Sequence, residues 1–186
     1  MTVAITSLLL VLSLRASADE AAALEARGDD AGAYRAATAW ARAHPGDPLA
    51  RLEAGRLALK VGDHIDAAAM WLDPVTALVP ENPRAHYLWA LVEDARGRPG
   101  EARRAYETAL TLRPTYDDAT LRAAGAAARE GDVARAIGLY RSYLVRHPKA
   151  AGVRLALGRL TGEADKALVR PERGTRKMRP LKPSGR

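Results

Sequence analysis

The spacing of four prolines constrains this chain more than any other feature. Pro45, Pro80, Pro114 and Pro148 stand 35, 34 and 34 residues apart, and a glycine sits about seventeen residues ahead of each, at Gly28, Gly62, Gly97 and Gly131. Three of those glycines are followed by an aspartate: Asp29, Asp63 and Asp132. Glycine accepts the left-handed conformation that ends a helix, and aspartate caps the start of the next. The residue before a proline is driven out of helical geometry. Each period therefore reads as helix, tight turn, helix, stop. In the stretch ARAHPGDPLA at 41–50, Pro45 ends one helix, Gly46 and Asp47 turn, and Pro48 opens the next, where a missing N–H costs little. That stretch is punctuation, not a linker or a catalytic loop.

Between the stops the pattern is amphipathic. In the third period Trp89, Ala90 and Glu93 lie at helical spacing in the first helix, and Ala102, Tyr106, Ala109 and Leu110 follow at i, i+4, i+7 and i+8 in the second. The composition agrees: 48% of residues are apolar, only 5% are aromatic, and Phe is absent. An alanine-, leucine-, arginine- and glutamate-rich chain favours helix throughout. Small residues at Ala90 and Ala102 let paired helices approach closely, which a core poor in side-chain volume requires. At 186 residues, one domain is the natural expectation.

These residues are where the chain resembles the tetratricopeptide repeat (TPR) family, whose unit of about 34 residues ends in proline. Period three matches at Trp89-Ala90, Ala102, Tyr106, Ala109 and Pro114. Period four matches at Ala123-Ala124, Ala136, Tyr140 and Pro148, with Tyr143 in place of the usual Ala. Period two matches at Ala54-Gly55, Ala67 and Trp71, then carries one extra residue and Pro74, which is expected to kink or shorten its second helix. Period one is weak in its first helix, where Ala21 and Leu24 match, and fits better in its second through Ala33 and Pro45. After Pro148, AGVRLALGRLTG reads as a further first helix, with EADKALV as a closing cap, since a solenoid must cover its last apolar face. The resemblance implies an all-α, right-handed solenoid of helical hairpins: about four repeats, near 19–47, 48–82, 83–116 and 117–150, plus a C-terminal cap at 151–169.

The two ends differ from this body. Residues 1–18 have the layout of a secretory signal peptide: an apolar run from Val3 to Leu14, then Ala16-Ser17-Ala18, with cleavage between Ala18 and Asp19. No Lys or Arg precedes the run, so an uncleaved short anchor and an ordinary first helix stay open beside export. The net charge of +7 is concentrated at the other end. Residues 19–169 hold 21 Lys and Arg against 21 Asp and Glu. Residues 170–186 carry Arg170, Arg173, Arg176, Lys177, Arg179, Lys182 and Arg186 against Glu172 alone. This basic, proline-rich tail is expected to be disordered. It offers charge contact to an anionic membrane surface or nucleic acid, or simply solubility, and no aromatic residue interleaves it for base stacking.

Groups for chemistry are scarce. The absence of cysteine excludes disulfides, thiolate zinc sites, a cysteine nucleophile and a lipid-modified N-terminal Cys. Beyond the N-terminal segment the serines are Ser142, mid-helix, and Ser184, in the tail. His44 and His147 share the slot before a stop proline, His86 occupies a packing position, and His64 starts a second helix, so no metal-ligand spacing appears. Glu93 with Arg96 and Glu101 with Arg104 read as pairs on solvated faces. The expectation is a non-enzyme without cofactor, metal or small-molecule substrate, whose partner is another protein.

The resemblance also implies where that partner binds: the concave surface lined by first helices, which takes an extended peptide or a helix. The family's groove positions fall on Leu52, Arg56, Leu59 and Lys60, on Arg84, Tyr87, Leu91 and Asp94, on Leu121 and Arg129, and on Leu155 and Arg159. Cations outnumber anions in this set. One reading is a preference for an acidic or carboxylate-bearing segment; the other is that arginine is common in this composition and these side chains are solvated. The chaperone carboxylate clamp is excluded, because Ala18, Ala22 and Ala54, or one repeat later Leu52, Arg56 and Leu88, stand where it needs Lys and Asn. Three settings follow: an adaptor or scaffold in a bacterial cell envelope, a cytoplasmic protein whose tail docks on nucleic acid or an anionic membrane, or an enzyme regulator or subunit that works only in complex.

Overall fold

A computed structural model describes residues 18–62 and 64–162. The expected signal segment before Ala18, the cap residues 163–169 and the tail 170–186 lie outside the described residues. Within them the chain is helical throughout: α1 (18–26), α2 (Asp30–Ala43), α3 (Pro48–Val61), α4 (Ile65–Leu78), α5 (Pro83–Ala95), α6 (Pro99–Leu112), α7 (Asp117–Arg129), α8 (Val133–Arg146) and α9 (Ala151–Thr161). Consecutive helices pack as antiparallel-type hairpins in series, and α3 also touches α5 directly. The result is an all-α solenoid of hairpins, as the proline register requires. Among the described residues no helix is long and apolar enough to cross a membrane.

The punctuation works as its chemistry dictates. Gly28, Gly62, Gly97, Gly131 and Gly162 all have positive φ, from 69° to 102°, and each ends a first helix. The amides of Asp29, Arg98 and Asp132 bond back five residues to Leu24, Glu93 and Ala127, which closes the helix end around the glycine. Asp29, Asp47, Asn82 and Asp132 accept amide hydrogens from Gly32, Leu49, Arg84 and Arg135 and cap the helices that follow. After three of the four stops the turn is clasped in a way the sequence pattern did not disclose. The Arg51 guanidinium donates to the Pro45 carbonyl, His86 Nε2 to that of Pro80 at 2.8 Å, and Arg154 to that of Pro148. His86, expected as a packing filler, is thus a donor to a helix-ending turn; a carbonyl only accepts, so its ring nitrogen carries the proton there.

The second repeat corrects the sequence register. Its extra residue lies in the turn at 62–64, not within α4. The Ala68 amide bonds the His64 carbonyl just as Ala33, Ala102 and Ala136 bond Asp29, Arg98 and Asp132. The repeat's inward second-helix positions are therefore Ala68, Leu72 and Val75, all fully buried, while Ala67 is half-buried and Trp71, also buried, packs toward the preceding repeat in the first core cluster. Gly55 explains why Leu72 fits: a Cβ there would stand 2.4 Å from Leu72 Cγ. Pro74 does not shorten α4, which has the same 14 residues as α2, α6 and α8. The carbonyl it leaves without an amide belongs to Met70, a residue 58% exposed and open to water.

The core is a string of three clusters. The first joins α1, α2, α3 and Trp71, the second joins α3, α4 and α5, and the third joins α5, α6 and α7. Alanines fill most inward positions, and Tyr106, Leu57 and Leu72 supply the bulk. One charge is part of this interior. Glu93 is 3% exposed at its side chain and is gripped by both ends of the Arg98 guanidinium at 2.6 and 2.7 Å. It does not pair with Arg96, which reaches Asp66 instead; Glu101 does pair with Arg104. The chain turns sharply at Gly97, so the fifth residue along, not the third, returns over the carboxylate.

Candidate functional site

First helices α3 and α5 and the N-terminal turn of α7 line a concavity of about 390 Å³. Its walls are Glu25, Arg56, Leu59, Lys60, Arg84, Tyr87, Leu88, Leu91, Tyr116 and Asp118. Of the sequence-assigned groove residues, Arg56, Leu59, Lys60, Arg84, Tyr87 and Leu91 come together here. Leu52 does not: it is 3% exposed and packs in the second core cluster with Ala85 and Leu88. Its register position faces the neighbouring first helix, so it cements the stack rather than lining the surface. Asp94 and Arg129 form their own pair at 2.7 Å further along. Leu121 is half-buried, and Arg159 and Leu155 are exposed on α9, apart from the concavity.

The cations of this surface already have partners. Glu25 on α1 receives both Arg56 terminal nitrogens at 2.6 and 2.8 Å and Lys60 at 2.8 Å. Arg56 also reaches Glu53, which in turn pairs with Arg84 on α5 at 2.9 Å, and Lys60 reaches Asp30. Together with Asp94 and Arg129 these contacts form a ladder that ties α1 to α3, α3 to α5, and α5 to α7. The Arg56 bond, then the Lys60 bond, holds the Glu25 carboxyl down at about 2. The Glu25 bond pushes Arg56 up in turn, and Asp30 and Glu25 do the same for Lys60. The cationic excess seen in the sequence is thus largely neutralised within the fold.

What remains open is aromatic. Tyr87 lies between Tyr106 and Tyr116, with ring centroids at 6.3 and 5.1 Å, and the Arg113 guanidinium stands 5.4 Å over the Tyr116 ring. Tyr106 is fully buried in the core behind Tyr87, whereas Tyr87 and Tyr116 are half-buried at the surface. Burial pushes all three phenols up, with Asp118 adding to the effect at Tyr87, so they stay neutral hydrogen-bonding rings at physiological pH. Leu59, Leu88 and Leu91 extend the apolar strip beside them. Such a surface suits an apolar or aromatic side chain on a partner segment, with Arg84 and Asp118 at its margins.

Sequence reasoning missed Glu25, Tyr116 and Asp118. Tyr116 sits outside the helix, at the cap of α7, where helix periodicity assigns no face. Glu25 carried a usable signal: Glu25 and Arg56, like Glu53 and Arg84, are 31 residues apart, close to one repeat. Opposite charges at that interval on first helices mark the ladder. Among the described residues no group of three or more His, Asp or Glu is placed to hold a metal ion.

Known proteins give the same architecture. The tetratricopeptide repeat profile matches residues 52–117 and 87–151. No curated protein matches the sequence. Among solved structures, MamA from Desulfovibrio magneticus RS-1 is 19% identical with a TM-score of 0.72, covering 83% of this chain and 89% of its own. PilW, a type IV pilus biogenesis factor, is 18% identical with a TM-score of 0.70, covering 83% of this chain and 71% of its own. A Thermobaculum terrenum O-GlcNAc transferase is 24% identical with a TM-score of 0.67, and the match covers 73% of this chain and 26% of the transferase. At these identities the likeness concerns the fold. With the repeat profile spanning 52–151, more than half of its length, the chain belongs to the tetratricopeptide repeat family.

Proposed function

We propose that this protein is a non-catalytic adaptor or assembly scaffold, exported to a bacterial cell envelope, that holds a segment of another protein in its concave groove. One observation carries the reading: first helices from successive repeats converge on a surface whose charges are satisfied and whose exposed centre is Tyr87, Tyr116, Leu59 and Leu91. Repeat proteins of this kind generally bind other proteins, and one solved neighbour is a pilus biogenesis factor, an assembly role. A partner segment docks an apolar or aromatic anchor on the tyrosine pair. An acidic segment binds less well, because its carboxylate must displace Glu25 or Glu53 from arginines they already hold.

Two experiments test the reading. Capture from envelope extract with the wild-type chain and with Tyr87→Ala/Tyr116→Ala should lose a defined partner in the variant; full capture by the variant contradicts the groove. Mass measurement of the mature chain tests export. A first residue of Asp19 supports it, whereas retained Met1 or Thr2 favours the cytoplasmic setting with a tail that docks on nucleic acid or an anionic membrane.

A further inference from the structure

Among the described residues the last hairpin shows only its first helix, α9. Gly162 has the positive φ of the four earlier hinge glycines, each of which is followed by a second helix of 14 residues (α2, α4, α6 and α8). After Gly162 only eight residues precede Pro171. Eight residues correspond to about 12 Å of helical rise, against about 21 Å for a second helix of 14 residues. Gly55, Ala90 and Ala124 are buried beneath their second helices, whereas Gly158, at the same position of α9, is partly exposed. In α9 no residue is buried, and in α8 only Ala136 is. Tyr140, Tyr143, Leu144, Val153, Leu157 and Leu160 are all left partly exposed on these two helices.

The charge of this end is as uneven as its packing. Residues 131–162 carry Arg135, Arg141, Arg146, Lys149, Arg154 and Arg159 against Asp132 alone, a net +5, while residues 18–47 carry three arginines against six acids. Among the described residues, only Arg135 and Arg146 of these six make ion pairs, with Glu107 and Asp117. A symmetric contact between two copies of this end sets like charges face to face.

We infer that the exposed α8–α9 end docks an acidic amphipathic helix of a partner protein, which packs on α9 as a second helix packs on its first. Its apolar stripe covers Gly158, Leu157 and Tyr143, and its outward carboxylates meet the surrounding arginines. This surface is separate from the groove, and a partner can occupy both.

Two synthetic 14-residue peptides, the length of the second helices here, test this directly. Both carry Ala, Tyr and Ala at the i, i+4, i+7 spacing of α6, with either Glu or Lys at every outward position. In anisotropy titrations against the full chain, the Glu peptide should bind at least about tenfold more tightly than the Lys peptide at low salt. Arg141→Glu/Arg159→Glu, at two exposed positions, should erase that preference without changing helical circular dichroism. Tyr87→Ala should leave it intact, which separates this site from the groove. Equal binding of both peptides, or of neither, overturns the inference. So does a self-associated state in sedimentation that the Glu peptide fails to dissolve, which assigns the surface to a second copy. If only Leu168→Asp makes the chain bind, and then both peptides alike, the chain's own residues 163–169 fill the slot and the inference falls.

Discussion

Helices α4 and α8 are second helices of the same length, with opposite fates. In α4, Ala68, Ala69, Trp71, Leu72 and Val75 are buried; in α8, only Ala136 is. The sequence of α8 has the cleaner apolar stripe, and α4 carries an internal proline and an inserted residue before it. Periodicity therefore states which face a helix can bury, while the neighbour decides whether it does. α4 packs against α5, the first helix of a complete hairpin, whereas among the described residues α8 is followed by α9 alone. In a solenoid each unit is stabilised through its interfaces, so the same substitution should weigh differently at the two places.

The largest expected contrast is in leucine truncation. Leu72→Ala should cost about 2–5 kcal/mol, as a fully buried residue packed on Gly55, while Leu144→Ala on α8 should cost under about 1 kcal/mol. Urea unfolding of both variants checks this, and equal losses break the comparison. Next is Arg98→Ala, which strands the Glu93 carboxylate in the interior and should cost about 1–3 kcal/mol. The corresponding loss at the open end, Arg146→Ala, leaves a better solvated Asp117 and should stay below about 1 kcal/mol.

A smaller effect has the opposite sign. The Tyr106 hydroxyl is buried without a hydrogen-bond partner among the described residues. Tyr106→Phe should thus be neutral or stabilising by up to about 1 kcal/mol, read as a raised Tm. Any clear destabilisation means that the hydroxyl has found a partner. Smallest is the acid limb of stability. Glu25 titrates at about 2 in the folded chain against an ordinary 4.5, so it favours folding above pH 4.5, and that contribution fades as pH falls toward 2. Glu25→Gln should flatten this part of a pH-dependent unfolding curve. At the other end Asp117 is also lowered: burial raises it, but the His147 and Arg146 bonds outweigh burial. Asp117→Asn should flatten the curve in the same sense.

The fold was legible because it is written in residues that act locally. Hinge glycines, capping aspartates and stop prolines each have one strong backbone preference, and their interval is a repeat length. The register of α4 was not legible. Ala67 and Ala68, like Trp71 and Leu72, are adjacent, and only the turn at 62–64 decides which pair takes the repeat's central inward positions. Repeat position puts Arg56, Lys60, Arg84 and Tyr87 on one concave surface, as the structure does, yet it does not reveal that the cations are paired. A count of cations along one helix face omits carboxylates brought from the preceding repeat, as Glu25 is. Tyr116 was hidden for another reason: it belongs to a turn, and helical periodicity is silent there.

Amide hydrogen exchange on the full chain tests the contrast most directly, because it reads opening free energy helix by helix. Protection should be greatest in α4, α5 and α6, fall through α8, and be least in α9. Protection of α8 and α9 equal to that of α4 would contradict the account, since it would mean that the C-terminal end is as fully enclosed as the middle.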